Sequence, residues 1–109
     1  GLDGCLWVFS DEEWEEFSSK LRSLPVANET ARKFARHFLS GADEAEPDKQ
    51  GRILIPQKLR NFAKLEKDVA VVGVGNRVEI WDRNAWENAS SFDDMDDLAA
   101  HMGEWGFGI

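Results

Sequence analysis

Six basic side chains (Arg52, Lys58, Arg60, Lys64, Lys67 and Arg77) fall between Gly51 and Arg77 against two acidic ones, Glu66 and Asp68, a local net of +4. The 109-residue chain as a whole carries −8, so everything outside that stretch sums to −12. Cations segregated on an acidic protein make a candidate phosphate surface, because the local field decides the encounter and not the total charge. A solvated helix face with ordinary lysines is the competing account. Other chemistry is sparse. His37 and His101 stand in unlike segments, Cys5 sits among Leu6 and Val8 as a small buried hydrophobe would, and the many carboxylates collect at helix starts and in the tail. No nucleophile, base and orienting group come together, so no catalytic residue is assigned. The Asp93, Asp94, Asp96, Asp97 cluster lacks the Gly and distal Glu of a calcium loop, so no metal and no cofactor is expected. Gly73-x-Gly75 has no third glycine opening a helix, and reads as part of a turn.

The elements around the basic stretch follow from turn chemistry and periodicity. Asp48-Lys-Gln-Gly51 is a turn tetrapeptide, with an Asp that bonds its own backbone two residues on and a Gly able to take positive φ. Arg52 to Ile55 alternates as a strand and Pro56, with no N–H to donate, ends it. Leu59, Phe62, Ala63 and then Leu65 or Glu66 give a helical stripe, with Lys58, Arg60 and Lys64 in water. Val69 to Val74 is a short, β-branched run and reads as a buried strand. Gly75-Asn76 is a two-residue hairpin signal leading into the alternating strand Arg77 to Trp81.

Asp48-x-x-x-Arg52, then Ile53-Leu-Ile-Pro56, Leu59-Arg60 and the run VVGVGNRVEIWDRNAWE resemble the second repeat of the MraZ family of bacterial transcriptional regulators of the division and cell wall gene cluster, within the AbrB-like swapped-hairpin superfamily. The resemblance implies a DNA-binding, ring-like homo-oligomer on repeated promoter sites. It implies Arg52 as the DNA contact with Asp48 as its positioning partner, and Lys58 and Arg60 assisting at phosphates. Asp48, Gly51, Pro56, Gly75 and Asn76 are the structural positions of the motif.

The opening segment carries a second copy of part of this pattern. A shift of 72 places Leu6 on Val78, Val8 on Ile80, Phe9 on Trp81, Ser10 on Asp82, Trp14 on Trp86 and Glu15 on Glu87 without a gap, an internal repeat. The strand from Gly4 to Phe9 precedes a capping box, Ser10 and Glu13, and a helix with Trp14, Phe17, Leu21 and Leu24 on one face, stopped by Pro25. Asn28 caps the next helix, with Ala31, Phe34, Ala35, Phe38 and Leu39 inward, and Gly41 closes it. These two helices are expected to pack as an antiparallel pair. On that helix Arg32, Lys33, Arg36 and His37 offer a phosphate or subunit contact, or simply a solvated face. The turn, strand, helix and strand of Asp48 to Gly73 have no counterpart ahead of the first copy, so the natural protein is expected to begin earlier than Gly1, and the first strand to have open edges.

One cysteine precludes an intrachain disulfide and points to a reducing compartment, and no apolar run approaches the roughly 20 residues of a membrane span. The expected fold is α+β: a small AbrB/MraZ-like β-barrel of two strand-helix-strand-strand repeats, the first partial, with helices outside. Its expected parts are 1–24, the end of the first repeat with its helix; 25–42, an inter-repeat helix; 43–90, a complete second repeat with Asp43 to Pro47 as an extended lead-in, and Asp82 capping a short helix; and 91–109, an acidic, Gly-rich and aromatic tail, partly disordered. The expected function is DNA-binding gene regulation by a cytoplasmic, nucleoid-associated oligomer, with double-stranded DNA as partner and no membrane. Two rivals remain: a protein interaction module in which Trp7, Trp105 and Phe107 drive assembly without nucleic acid, and an AbrB-like antitoxin.

Overall fold

The computed structural model describes residues 1–107; the last two tail positions, Gly108 and Ile109, lie outside the described residues. Three strands, β1 (Leu6–Val8), β2 (Val69–Val74) and β3 (Arg77–Asp82), form an antiparallel sheet in the order β1-β3-β2. Around it lie α1 (Asp11–Arg22), α2 (Glu29–Gly41), α3 (Gln57–Phe62), α4 (Arg83–Ala89) and α5 (Met95–His101), followed by a 3-10 turn, Met102–Trp105. The α+β class holds, and the sheet is open among the described residues. Arg52 to Ile55, expected as a strand, forms none and has no strand partner among the described residues; one backbone bond, Asp48 N–H to Arg52 O at 2.8 Å, ties it to the preceding arm.

Alternation within β3 divides the packing between the two sheet faces. Leu6 and Ile80 are buried on one face with Ala63, and Val8, Ile55, Leu59 and Leu65 close around them, so α3 covers this side. Trp7 and Glu79 point the other way, where Trp7 stacks on Phe38 of α2 at 5.1 Å and meets Phe17 of α1 edge-on at 5.9 Å. Trp7 was expected among exposed aromatics; it is half-buried here because α2 and Arg77 roof it.

The 72-residue shift acquires a spatial meaning in the sheet. Trp7 pairs with Glu79, the residue 72 positions later, while Leu6 faces Ile80 and Val8 faces Val78. The shift carries the Leu6 and Ile80 pair onto the Val78 and Val8 pair, so the two strands are related by a local two-fold axis through Trp7 and Glu79, the pair in which corresponding residues meet. The helices that follow obey the same relation. Ser10 Oγ accepts from Glu13 N–H at 3.2 Å, and Asp82 Oδ2 from Ala85 N–H at 3.1 Å. Phe9 meets Trp14 at 5.9 Å, and Trp81 meets Trp86 at 5.6 Å.

Caps and turns set the remaining boundaries. Asn28 Oδ1 accepts from Ala31 N–H at 2.9 Å, starting α2 as expected. The helix α3 stops earlier than the apolar stripe suggests: Lys64 takes φ 53°, and Leu65 N–H reaches back to Arg60 O at 2.9 Å, a C-terminal wrap that swings Leu65 onto the core. Asp3 and Gly4 have φ of 60° and 72°, the left-handed pair of a tight hairpin turn, with Cys5 N–H bonded to Leu2 O at 3.3 Å. The first strand accordingly begins after this turn, at Leu6. Within the 91–109 tail, expected to be partly disordered, Met95–His101 forms α5 and Met102–Trp105 the 3-10 turn. No helix among the described residues is long and apolar enough to cross a membrane.

Candidate nucleic-acid interface

The Asp48 loop is held by one carboxylate working three ways. Its Oδ1 accepts from the backbone N–H groups of Gln50 and Arg52, each at 2.9 Å, and its Oδ2 accepts from Arg52 Nε–H at 3.1 Å. Gly51, at φ 78°, lets the chain turn back, and its N–H bonds Asp48 O at 3.0 Å. A short aspartate that answers neighbouring N–H groups while a glycine supplies positive φ is a local solution that needs no tertiary partner. The backbone donors of Arg52 and Gln50, aided by the Arg52 guanidinium, hold the Asp48 carboxyl below its ordinary value.

Arg52 is thereby presented, not buried. Its side chain is 73% exposed, with Nε–H on Asp48 and Nη2 on Gln50 Oε1. A guanidinium has five N–H donors, so these two bonds hold its plane and leave three without a partner among the described residues. A planar fork held at a turn tip suits bidentate recognition of a phosphate or a base edge.

The other two expected contacts are more engaged with the protein. Lys58, in the first turn of α3, pairs with Asp43 Oδ2 at 3.6 Å and ties that helix to the arm leading into the loop. Arg60 is half-buried; its Nη2 donates to Gln57 Oε1 at 2.8 Å, Gln57 Nε2 in turn donates to Asn61 Oδ1 at 2.8 Å, and Arg60 Nε–H has no partner among the described residues. Pro56 sits at the cap position of α3, where its missing N–H costs nothing, and Gly75 turns β2 into β3 at φ 70° next to Asn76.

Arg77, counted in the same basic stretch, has a different task. Its Nε and Nη2 both donate to Glu79 Oε2, at 3.2 and 2.9 Å, and Cζ lies 4.1 Å from the Trp7 ring centroid. Glu79 Oε1 accepts from Trp81 Nε1 at 3.0 Å. This cluster is a lock between sheet and helices and offers little to a ligand. Charge counting along the sequence missed it, although alternation in β3 already places Arg77, Glu79 and Trp81 on one face.

Cys5 is fully buried, its Sγ–H directed at Leu2 O at 3.2 Å, and burial pushes the thiol up from its usual range. His37 and His101 each meet a backbone carbonyl, those of Gly1 and Asp97, in separate elements.

The family model described as "MraZ protein, putative antitoxin-like" matches residues 1–37 and again 38–102. The chain belongs to the MraZ family. Relatives carrying the name "Transcriptional regulator MraZ" include one from Lachnoclostridium phytofermentans, 51% identical over 106 residues, covering 97% of this chain and 74% of the relative. Another, from Acetivibrio thermocellus, is 55% identical over 95 residues, covering 87% and 66%. A third, from Thermoanaerobacter pseudethanolicus, is 52% identical over 106 residues, covering 95% and 74%. The resemblance first carried by Asp48 to Glu87 therefore extends over nearly the whole sequence, and the chain spans 66 to 74% of the length of these MraZ relatives.

Proposed function

We propose that this chain is a non-enzymatic, sequence-specific DNA-binding transcriptional regulator of the bacterial division and cell wall gene cluster. It works in the cytoplasm, associated with the nucleoid, as a homo-oligomer on repeated promoter sites. Its units are the partial first repeat 1–24, the inter-repeat helix 25–42, the second repeat 43–90 and the tail 91–109. The observation that carries the reading is the exposed Arg52 guanidinium, fixed by Asp48 at the tip of a turn. Family membership and the relatives' printed names support it.

Arg52 makes the contact, while Lys58 and Arg60 add phosphate attraction that sets register and salt dependence but little sequence information. Each loop is a weak site by itself. Several loops on one assembly, engaging several promoter repeats, multiply affinity because every contact after the first is intramolecular. The net charge of −8 does not oppose this at working salt, since screening over about 8–10 Å leaves the loop to its own local field.

The test is fluorescence anisotropy with about 300 base pairs of the natural upstream promoter against scrambled DNA, at several salt concentrations. Preference for the promoter and its loss in Arg52→Ala are expected; equal binding by wild type and Arg52→Ala at every salt concentration would refute the assignment. Assembly without nucleic acid is the second reading, favoured by the exposure of Trp105 and Phe107, 81% and 57%. It requires an oligomer that ignores promoter DNA. The antitoxin variant, suggested by the family description, requires a toxin partner in addition to DNA.

A further inference from the structure

Between α1 and α2 runs an open groove of about 290 Å³ with an apolar floor that includes Leu21, Leu24, Ala35 and Leu39. Its rim is cationic, with Arg22, Arg32 and Arg36 on the lining. Arg22 is paired with Glu15 at 3.2 Å and Arg32 donates to Val26 O at 2.9 Å, whereas Arg36 has no ion pair among the described residues. The volume lies at the bottom of the range of small-molecule pockets, roughly 300–1,000 Å³, and the floor has no convergent polar group to orient a compact ligand. It suits one or two apolar side chains from a segment that also brings negative charge.

The same chain carries such a segment. Phe92, Met95 and Leu98 are exposed by 60, 44 and 45%. Met95, Leu98 and Met102 recur at i, i+3 and i+7, so they form one stripe; Asp94, the cap residue, stands at its start, and Asp96 lies about 100° round the helix from Met95 on the side away from Leu98. An apolar stripe bordered by carboxylates complements an apolar floor between guanidiniums. In the folded chain Val26 at the groove is 78% exposed while the stripe is exposed too, so the segment is not seated in its own groove.

We propose that the α1–α2 groove receives the acidic segment around α5 from a second copy of the chain. This rests on the oligomer part of the function proposed above and is independent of DNA. Groove and segment are different surfaces, so the contact is head-to-tail: each copy gives its stripe to one neighbour and takes another's, an arrangement that closes into a ring when the rotation permits. The buried part is apolar, and the charged rim fixes register and speeds encounter.

The test uses the full chain and sedimentation velocity over a concentration series. Arg36→Glu in one preparation, and Asp94→Lys with Asp96→Lys in another, are each expected to weaken self-association at least about tenfold, because like charges then face each other across the rim. Mixing the two preparations is expected to restore association, each reversed groove meeting a reversed segment, which also shows that both variants fold. Leu98→Asp is expected to abolish association without rescue. If both charge variants assemble as wild type does, the docking is wrong while the oligomer reading stands. If wild type stays a single chain at every concentration, both fall together. If placing both reversals on one chain restores a wild-type circular dichroism melt but mixing restores no association, the segment serves its own groove and the proposal is overturned.

Discussion

Two arginine and carboxylate pairs in this chain use the same atoms for opposite ends. Arg52 and Asp48 sit on a loop with side chains 73 and 48% exposed, and Arg77 and Glu79 sit on β3 at 24 and 10%. In the first the carboxylate serves the backbone and the guanidinium faces water. In the second the guanidinium is spent, shared between Glu79 and the Trp7 ring, and the carboxylate also takes the Trp81 indole. The lesson is that a basic residue becomes a ligand contact only where its partner leaves donors unoccupied; sequence proximity and sign do not decide it.

The comparison can be broken from the buried side first. Glu79→Ala removes the acceptor from Arg77 and Trp81 together and is expected to cost about 3–5 kcal/mol of stability, the range for breaking a buried pair by deleting one partner. Urea unfolding measures it, and a loss under 1 kcal/mol would mean that water replaces the carboxylate and the lock is unimportant. On the exposed side, Arg52→Ala is expected to reduce promoter binding by about 1–3 kcal/mol for each engaged loop while leaving the urea midpoint unchanged. A change in both would erase the distinction between the two arginines. Glu79→Gln keeps an acceptor for the indole but loses the charge, and about 1–2 kcal/mol is expected.

The smallest effect is in pH. Asp48 has its folded value lowered, by its bonds to the Arg52 and Gln50 backbone and then the guanidinium, from a starting point of 3.8. Its contribution is therefore fully present above that value and is lost as pH falls through the lower, folded one. Protection of the Gln50 and Arg52 amides, relative to their intrinsic exchange rates, should fall only below about pH 4. Opening of the loop at pH 5 to 6 would show that something other than this carboxylate holds it.

What the sequence made legible was local. The caps Ser10, Asn28 and Asp82, the Gly75-Asn76 turn and the Asp48 loop each depend on residues within four positions, and each is where pattern reading places it. Arg77 looks like one more surface cation in the sequence because its burial depends on Trp7 and α2, seventy and about forty residues earlier. The end of α3 is not legible in the apolar pattern because Leu65 keeps the helical spacing while reaching the core through a left-handed Lys64. Asp3-Gly4 is a turn dipeptide of the strongest kind, and it is this turn that makes the first strand shorter than its apolar pattern suggests. Arg52 to Ile55 has strand composition without a pairing partner among the described residues, and composition does not report partners.

The Trp7 and Glu79 pair has a further consequence for how copies of this chain can recognise one another. Duplicated strands that pair with each other could, by the same backbone register, pair with their own kind in another molecule. Two third strands meeting that way would set carboxylate directly against carboxylate, and two first strands would crowd indole on indole and strand both from their arginine. Only the mixed pairing unites ring, cation and anion. The difference at the position on the axis thus favours pairing of the two unlike strands over pairing of either with its own kind.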